Sequence, residues 1–325
     1  MTPAVSVFCL TYNHRRFIGE FIESVLSQSY RDLELIIADD GSTDGSQDII
    51  RRYAAADARV KAVLSPRTKG LIANFNDSIG LCAGRFVVII GGDDVMLPGK
   101  IERQVRYLES HPDCGVLTHD AWVIDEDGRR QYRWSSRHRP LWGGIETQFA
   151  TNWLLRKDRR IAPPSVMYRK EFLGDVRYDA RLPIANEWLQ TIESTVQHPG
   201  LKWHYLPEVL SQYRRHEHQM SNDAESGRRN FEERMLVMSI VEQRYPATAR
   251  LVKRYREYMQ FQYLALDWHE PELRQGYRER FLKEAGPVKN AYLNAVHFLL
   301  HHPVLMTLSR PVRKLITMTA GVLDR

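Results

Sequence analysis

The stretch LELIIADDGSTDGS, residues 33–46, decides how this chain is read. Leu33 to Ala38 form a run of strand-forming apolar residues broken only by Glu34, as expected of a strand covered on both faces. The run stops at two carboxylates, Asp39 and Asp40. Gly41 and Gly45, with hydroxyl residues between them, then let the backbone turn sharply into a helix that starts at Ser46. A buried strand, an acidic turn and a helix make one βα unit of a parallel sheet.

The same grammar extends in both directions. Upstream, Val5 to Leu10 reads as a strand, followed by Phe17, Ile18, Phe21, Ile22, Val25 and Leu26 at helical spacing. Downstream come a strand over Val60 to Leu64, a helix over Ile72 to Cys82 ended by Gly84, and a strand over Phe86 to Ile90. A helix over Gly99 to Ser110, stopped by His111 and Pro112, and a strand over Val116 to His119 complete the series. Trp122 to Ile124 and the turn Asp125 to Gly128 then predict a hairpin. The region up to about residue 165, rich in Trp, Arg, Gly and Pro, suits binding loops. From residue 226 the composition is helical, with breaks at Pro246, Pro271, Pro287, Pro303 and Pro311. The expected organisation is an α/β domain over 1–225 and a helical extension over 226–325.

Bulk composition narrows the class. The 325 residues, 43% hydrophobic, suffice for an ordinary core. Cys9, Cys82 and Cys114 stand far apart and two lie in apolar runs, which argues against a disulfide framework or a zinc cluster and fits a reducing compartment. No export signal opens the sequence, and no apolar run reaches the roughly 18 residues of a spanning helix. A cytoplasmic protein is therefore expected. The net charge of +6 favours anionic partners without naming one.

Ligands of an open parallel sheet bind beyond the carboxyl ends of its strands. Three polar segments fall there: Thr11, Tyr12 and Asn13 after the first strand, residues 39–46 after the second, and Gly91, Gly92, Asp93 and Asp94 after the fourth. A carboxylate at Asp40 can accept a hydrogen bond from a base imide or a ribose, whereas Asp44 and Ser46 read as helix capping. Asp93 and Asp94 directly follow an apolar strand and have no obvious basic partner, so a hard divalent ion, Mg²⁺ or Mn²⁺, is the natural resolution. Nicotinamide binding would need Gly-x-Gly-x-x-Gly where the chain has Thr-Tyr-Asn-His. A P-loop is absent too.

Taken together, VSVFCLTYNH (5–14), SVLSQSYRDLELIIADDGSTDGS (24–46) and GGDDVMLPGKIERQ (91–104) resemble the family 2 glycosyltransferases of the GT-A fold over about residues 4 to 220. The resemblance implies an inverting transferase that takes a UDP- or dTDP-linked sugar to a saccharide or lipid-linked acceptor in cell-surface polysaccharide synthesis, with no nucleic-acid partner. It implies donor-binding roles for Thr11, Tyr12, Asn13, Asp40 and Asn74, with Tyr12 stacking on the base. Asp93 matches the last carboxylate of the family's Asp-x-Asp motif, the metal contact, and Asp94 supports it; Gly91 stands where the motif has its first Asp. Glu187, in the segment 178–188, matches the acidic residue that serves as the base, although the family more often has Asp there, preceded by Glu rather than Asn186. His216 matches a histidine near the diphosphate and the metal, and Arg214 or Arg215 would meet phosphate. Residues 163–169 resemble the acceptor-side scaffold. Trp134, Trp142 and Trp153 are candidates for stacking on sugars.

Two further readings stay open. Residues 288–325 carry five basic residues among apolar ones and could lie on an anionic membrane or pack as helices. The departures at Gly91 and Asn186 also keep alive a catalytically silent protein of the same fold that binds nucleotide sugars or carbohydrate.

Overall fold

A computed structural model describes residues 2–137, 145–146, 161–217, 226–253 and 255–256. Four parallel strands form its first half: β1 (Val5–Thr11), β2 (Leu33–Asp39), β3 (Val60–Leu64) and β4 (Phe86–Gly91). They lie in the order β3-β2-β1-β4. Between them run helices α1 (Ile18–Leu26), α2 (Ser46–Ala56) and α3 (Leu71–Ser78). One face of β1 and β2, carrying Val5, Val7, Cys9, Leu35 and Ile37, packs on Ile18, Phe21, Ile22 and Val25 of α1, all buried. On the other face Phe8 meets the edge of Phe75 from α3, ring centroids 5.6 Å apart. Each such side chain contributes roughly 1.5–3 kcal/mol by leaving water. The outer strand β3 is largely solvated, and its Lys61 reaches buried Glu34 at 2.5 Å. A charged residue there also blunts the sheet edge.

The second half adds β5 (Val95–Met96), α4 (Lys100–Ser110), β6 (Cys114–Ile124), β7 (Arg130–Arg133), the short helix α5 (Trp134–Arg137) and β8 (Ile145–Glu146). After these come β9 (Met167–Arg169), α6 (Lys170–Leu173), α7 (Asn186–Gln197), β10 (Lys202–Arg214) and α8 (Ser226–Arg244). The sheet continues β4-β9-β6-β10-β5, with β9 antiparallel to both neighbours. This mostly parallel sheet flanked by helices is the architecture that the resemblance implies. The predicted hairpin is β6–β7, with Val123 opposite Tyr132.

Register sets the level of the site. Thr11 pairs with Asp39 and Leu10 with Gly91, so the acidic ends of β2 and β4 flank the end of β1.

One compact unit runs from Met1 to Pro246. It includes α8, which ties to α7 through an ion pair of Arg244 with Glu193 at 2.6 Å and a hydrogen bond from Gln197 to Tyr245 at 2.6 Å. The expected boundary after residue 225 precedes this helix. In the other unit, Ala247–Arg325, the described residues are 247–253 and 255–256, helical apart from the opening turn, with Val252 and Tyr255 buried. The stretch 288–325 and the tryptophans at 142 and 153 lie outside the described residues. Among the described residues no helix is long and apolar enough to cross a membrane.

Candidate functional site

The turn after β2 is built by its own acids. Asp39, fully buried, accepts hydrogen bonds from Ser42 N, Ser42 Oγ and Gln47 Nε2. Asp40 reaches forward instead: Lys69 N and Gly70 N each donate to one of its oxygens, both at 2.9 Å. It thereby fixes the entry to α3, where Gly70 adopts φ +91°, a left-handed value that glycine tolerates. Asp44 accepts from Ser46 N and Oγ and from Arg15 N at 2.9 Å. It closes the turn into α2, whose N-cap is Gly45 with no side-chain cap, and also fastens the loop that follows β1.

That loop is clasped along its length. Asn13, at φ +53°, donates its N–H to Ser42 Oγ at 2.8 Å and accepts from Thr43 N at 3.0 Å. His14 O accepts from Phe17 N and Ile18 N, both at 2.8 Å, and so turns the chain into α1. Tyr12, between these anchors, is 46% exposed. A large aromatic residue held open beside a polar crevice is suited to stacking. Thr11 is buried, and its Oγ1 has no hydrogen-bond partner among the described residues.

Asn74, expected to approach the donor, lies on α3. It is buried, and its amide donates to Ala38 O at 2.9 Å, securing α3 under the end of β2. On the same helix Asn76 donates to Tyr178 O at 2.9 Å and accepts from Tyr178 N at 2.7 Å.

After β4 the two acids diverge. Asp94 is buried and accepts from Arg214 N at 2.9 Å. Burial, then repulsion from Asp93, pushes its carboxyl well above the usual range. Asp94 therefore braces the site through the Arg214 backbone. Arg214 is fully buried and committed to protein acceptors, so phosphate contact falls away from it. It donates to Asp93 O at 2.9 Å, to Asp125 O and Glu126 O, and to Glu20 at 2.6 Å.

Asp93 turns toward two histidines. His216 Nε2 lies 3.1 Å from Asp93 Oδ2, and one ligand atom from each of His14, Asp93 and His216 falls within 4.8 Å of the others. Burial pushes the Asp93 carboxyl up, but the His216 hydrogen bond and the His14 charge outweigh it and hold it below its ordinary value. Burial lowers the His14 pKa, with the Asp93 charge opposing. Ligands of one octahedral ion, with bonds of about 2.1 Å, lie about 3 to 4.2 Å apart. With their ligand atoms within 4.8 Å of one another, the three residues could together hold one ion.

Glu187 opens α7, where a carboxylate is favoured by the helix dipole. Its side chain keeps access to solvent, while the protein packed around the carboxyl strips hydration and raises its pKa. The buried phenols of Tyr168 and Tyr178 are pushed up by burial first and by the Glu187 charge second. Asn186, the departure noted in the sequence, is a brace. It accepts from Asp179 N at 2.6 Å and donates to Asp179 O and Leu182 O, closing the loop ahead of α7. Glu233 of α8 then accepts from Ile184 N at 2.7 Å and Ala185 N at 2.8 Å. Trp134 packs edge-on to Tyr213, centroids 5.7 Å apart.

Sequence reasoning missed His14 and Glu233. His14 closes the first motif, and its place three residues past the end of β1 was the available signal.

The profile of glycosyl transferase family 2 matches residues 6–177, more than half of the chain. The chain belongs to glycosyl transferase family 2. Within family 2 it is similar to EpsE of Bacillus subtilis (strain 168), named as a glycosyltransferase, with 40% identity over 132 residues, 40% of this chain and 48% of that one. It is 32% identical to the uncharacterized protein Rv1520 of Mycobacterium tuberculosis over 232 residues, 70% of this chain and 63% of that one. The match thus spans about half to under two thirds of these relatives. Among solved structures, S. aureus TarS 1–349 in complex with UDP-GlcNAc superposes with a TM-score of 0.65 at 17% identity, covering 93% of this chain and 86% of that one. The mannosyltransferase PcManGT of Pyrobaculum calidifontis, in complex with GDP-Man and Mn²⁺, gives 0.57 at 15% identity, covering 99% and 86%. At these identities the likeness concerns the family 2 fold alone.

Proposed function

We propose that this chain is an inverting glycosyltransferase that moves a sugar from a UDP- or dTDP-linked donor to a saccharide or lipid-linked saccharide acceptor in cell-surface polysaccharide synthesis. One observation carries the reading. Asp40 grips the backbone at the start of α3, and Asn76 of the same helix grips Tyr178 in the loop that leads to Glu187. A donor-side acid and an acceptor-side acid are thus held to one rigid element, as a two-substrate reaction requires.

In this reading Tyr12 stacks on the base and the free lone pairs of Asp40 meet its polar edge. Asn13 shapes the loop between them. Asp93 and His216 hold Mg²⁺ or Mn²⁺, which when bound neutralises charge on the departing diphosphate. Glu187 takes the proton of the acceptor hydroxyl as that oxygen attacks the anomeric carbon from the face opposite the diphosphate, which inverts the configuration. Its raised pKa suits a group that must gain a proton at that moment. The solved neighbours, seen with UDP-GlcNAc and GDP-Man, lend support for a nucleotide-sugar donor.

A panel of nucleotide sugars, screened by thermal stabilisation with Mn²⁺ or Mg²⁺ present, tests the donor half. A ligand that binds only the folded chain at 100 times its Kd adds about 2.7 kcal/mol. One uridine or thymidine diphosphate sugar should raise the melting temperature; no shift with any member would sink the proposal.

A further inference from the structure

We propose that His14 completes a three-ligand metal centre with Asp93 and His216, and that this nitrogen-rich set selects Mn²⁺ or Co²⁺ over Mg²⁺ and holds the ion without a nucleotide. The three residues come from separate segments, after β1, β4 and β10, yet their ligand atoms converge within 4.8 Å. Convergence from three segments is costly to arrange by chance, because each loop carries its own backbone constraints. Here those constraints are visible: Asn13 and Arg15 clamp the first loop to residues 42–44, and Arg214 pins the other two through Asp93 O and Asp94.

Two details point to a ligand. Nδ1 of His14 is buried with no hydrogen-bond partner among the described residues. A buried ring nitrogen is nearly always paired, and a bond to an ion would satisfy it. Position 91 is the second. A Cβ there would come closer to Asp93 Oδ1 than real Cβ atoms approach their neighbours, so the absence of a side chain at Gly91 lets the Asp93 carboxylate sit where it does.

Phe17 holds the rings in place. Its centroid lies 6.4 Å from that of His14 and 5.1 Å from that of His216, and the Arg214 guanidinium covers it at 4.9 Å. Fixed ring orientation favours metal affinity. Imidazole suits the later first-row ions, whereas Mg²⁺ prefers oxygen, and divalent affinity rises from Mn²⁺ to Co²⁺.

The inference deepens the metal part of the proposed function but is tested without turnover, so an inactive transferase that still binds Co²⁺ would count against that reading and not this one. The untagged full chain, stripped with chelator and free of nucleotide, is titrated with Co²⁺ by visible absorption and with Mn²⁺ by electron paramagnetic resonance. One Co²⁺ should bind per chain, at least about tenfold more tightly than Mg²⁺ in competition. His14→Gln should weaken Co²⁺ binding at least about tenfold. Spin-echo modulation of the Mn²⁺-loaded wild type, which depends on no variant folding, should report two imidazole nitrogens. Equal competition by Mg²⁺, unchanged Co²⁺ affinity in folded His14→Gln, or coupling to fewer than two nitrogens would overturn the proposal.

Discussion

The carboxylate of Asp93 occupies the space beside Gly91 that any larger residue at that position would claim. Restoring the family motif by Gly91→Asp should therefore displace Asp93 from His216 rather than add a ligand. We expect Mn²⁺ affinity to fall at least about tenfold, measured by paramagnetic resonance on the folded variant. Tighter binding would mean that the two carboxylates can share the ion after all.

Glu187 makes a kinetic prediction. Glu187→Gln should lower turnover by about 10²–10⁴-fold while donor binding persists. The base must be ionised to act, and the surrounding protein raises its pKa. The acid limb of the pH–rate profile should accordingly lie above the ordinary glutamate range, with activity rising as pH increases through it. A limb at the ordinary value would remove Glu187 from the role.

Glu233 lies on α8, beyond the family match, and satisfies two backbone N–H groups directly ahead of α7. Leaving buried donors unpaired costs about 1–3 kcal/mol. Glu233→Ala should destabilise by that order in urea, and Glu233→Gln, which keeps an acceptor, by less. Equal losses for the two variants would show that the hydrogen bonds are not the cause.

Lys100 is buried beneath the site, its Nζ has no hydrogen-bond partner among the described residues, and burial lowers its pKa to about 7, with Asp94 opposing. The folded chain thus binds this proton less readily than the unfolded chain, so unfolding takes up protons above about pH 7. Stability from this group then rises with pH from that point toward the ordinary lysine range. Lys100→Met should flatten the rise, read as the difference in urea midpoint between about pH 7 and about pH 9. An unchanged difference would contradict the assignment.

The sheet was legible where strands are buried on both faces. β1, β2 and β4 read as apolar runs interrupted only by Ser6 and Glu34, and the acids after β2 and β4 mark strand ends. β6 is longer than its predicted core of 116–119 because its continuation passes through Asp120, a buried carboxylate that looks like a strand breaker until Arg133 and Ser135 are seen to satisfy it. β9, three residues long, carries no periodicity to read. In the site, Asp40 and Asp93 follow from position alone. Asn74 and Asn76 could not be told apart in sequence, since only the direction in which α3 faces the sheet decides which is buried. His14 escaped because a metal centre assembled from three loops has no spacing within any one of them, and Glu233 because its targets lie 49 and 48 residues away.

Release of nucleoside diphosphate from sugar donors by the full chain tests the proposed transfer most directly. Wild type with Mn²⁺ should release UDP or dTDP from at least one donor, chelator should stop it, and Glu187→Gln should bind that donor without releasing diphosphate. A donor that binds wild type yet is never turned over, with any metal or acceptor mixture, would contradict it and leave a binding protein of the same fold.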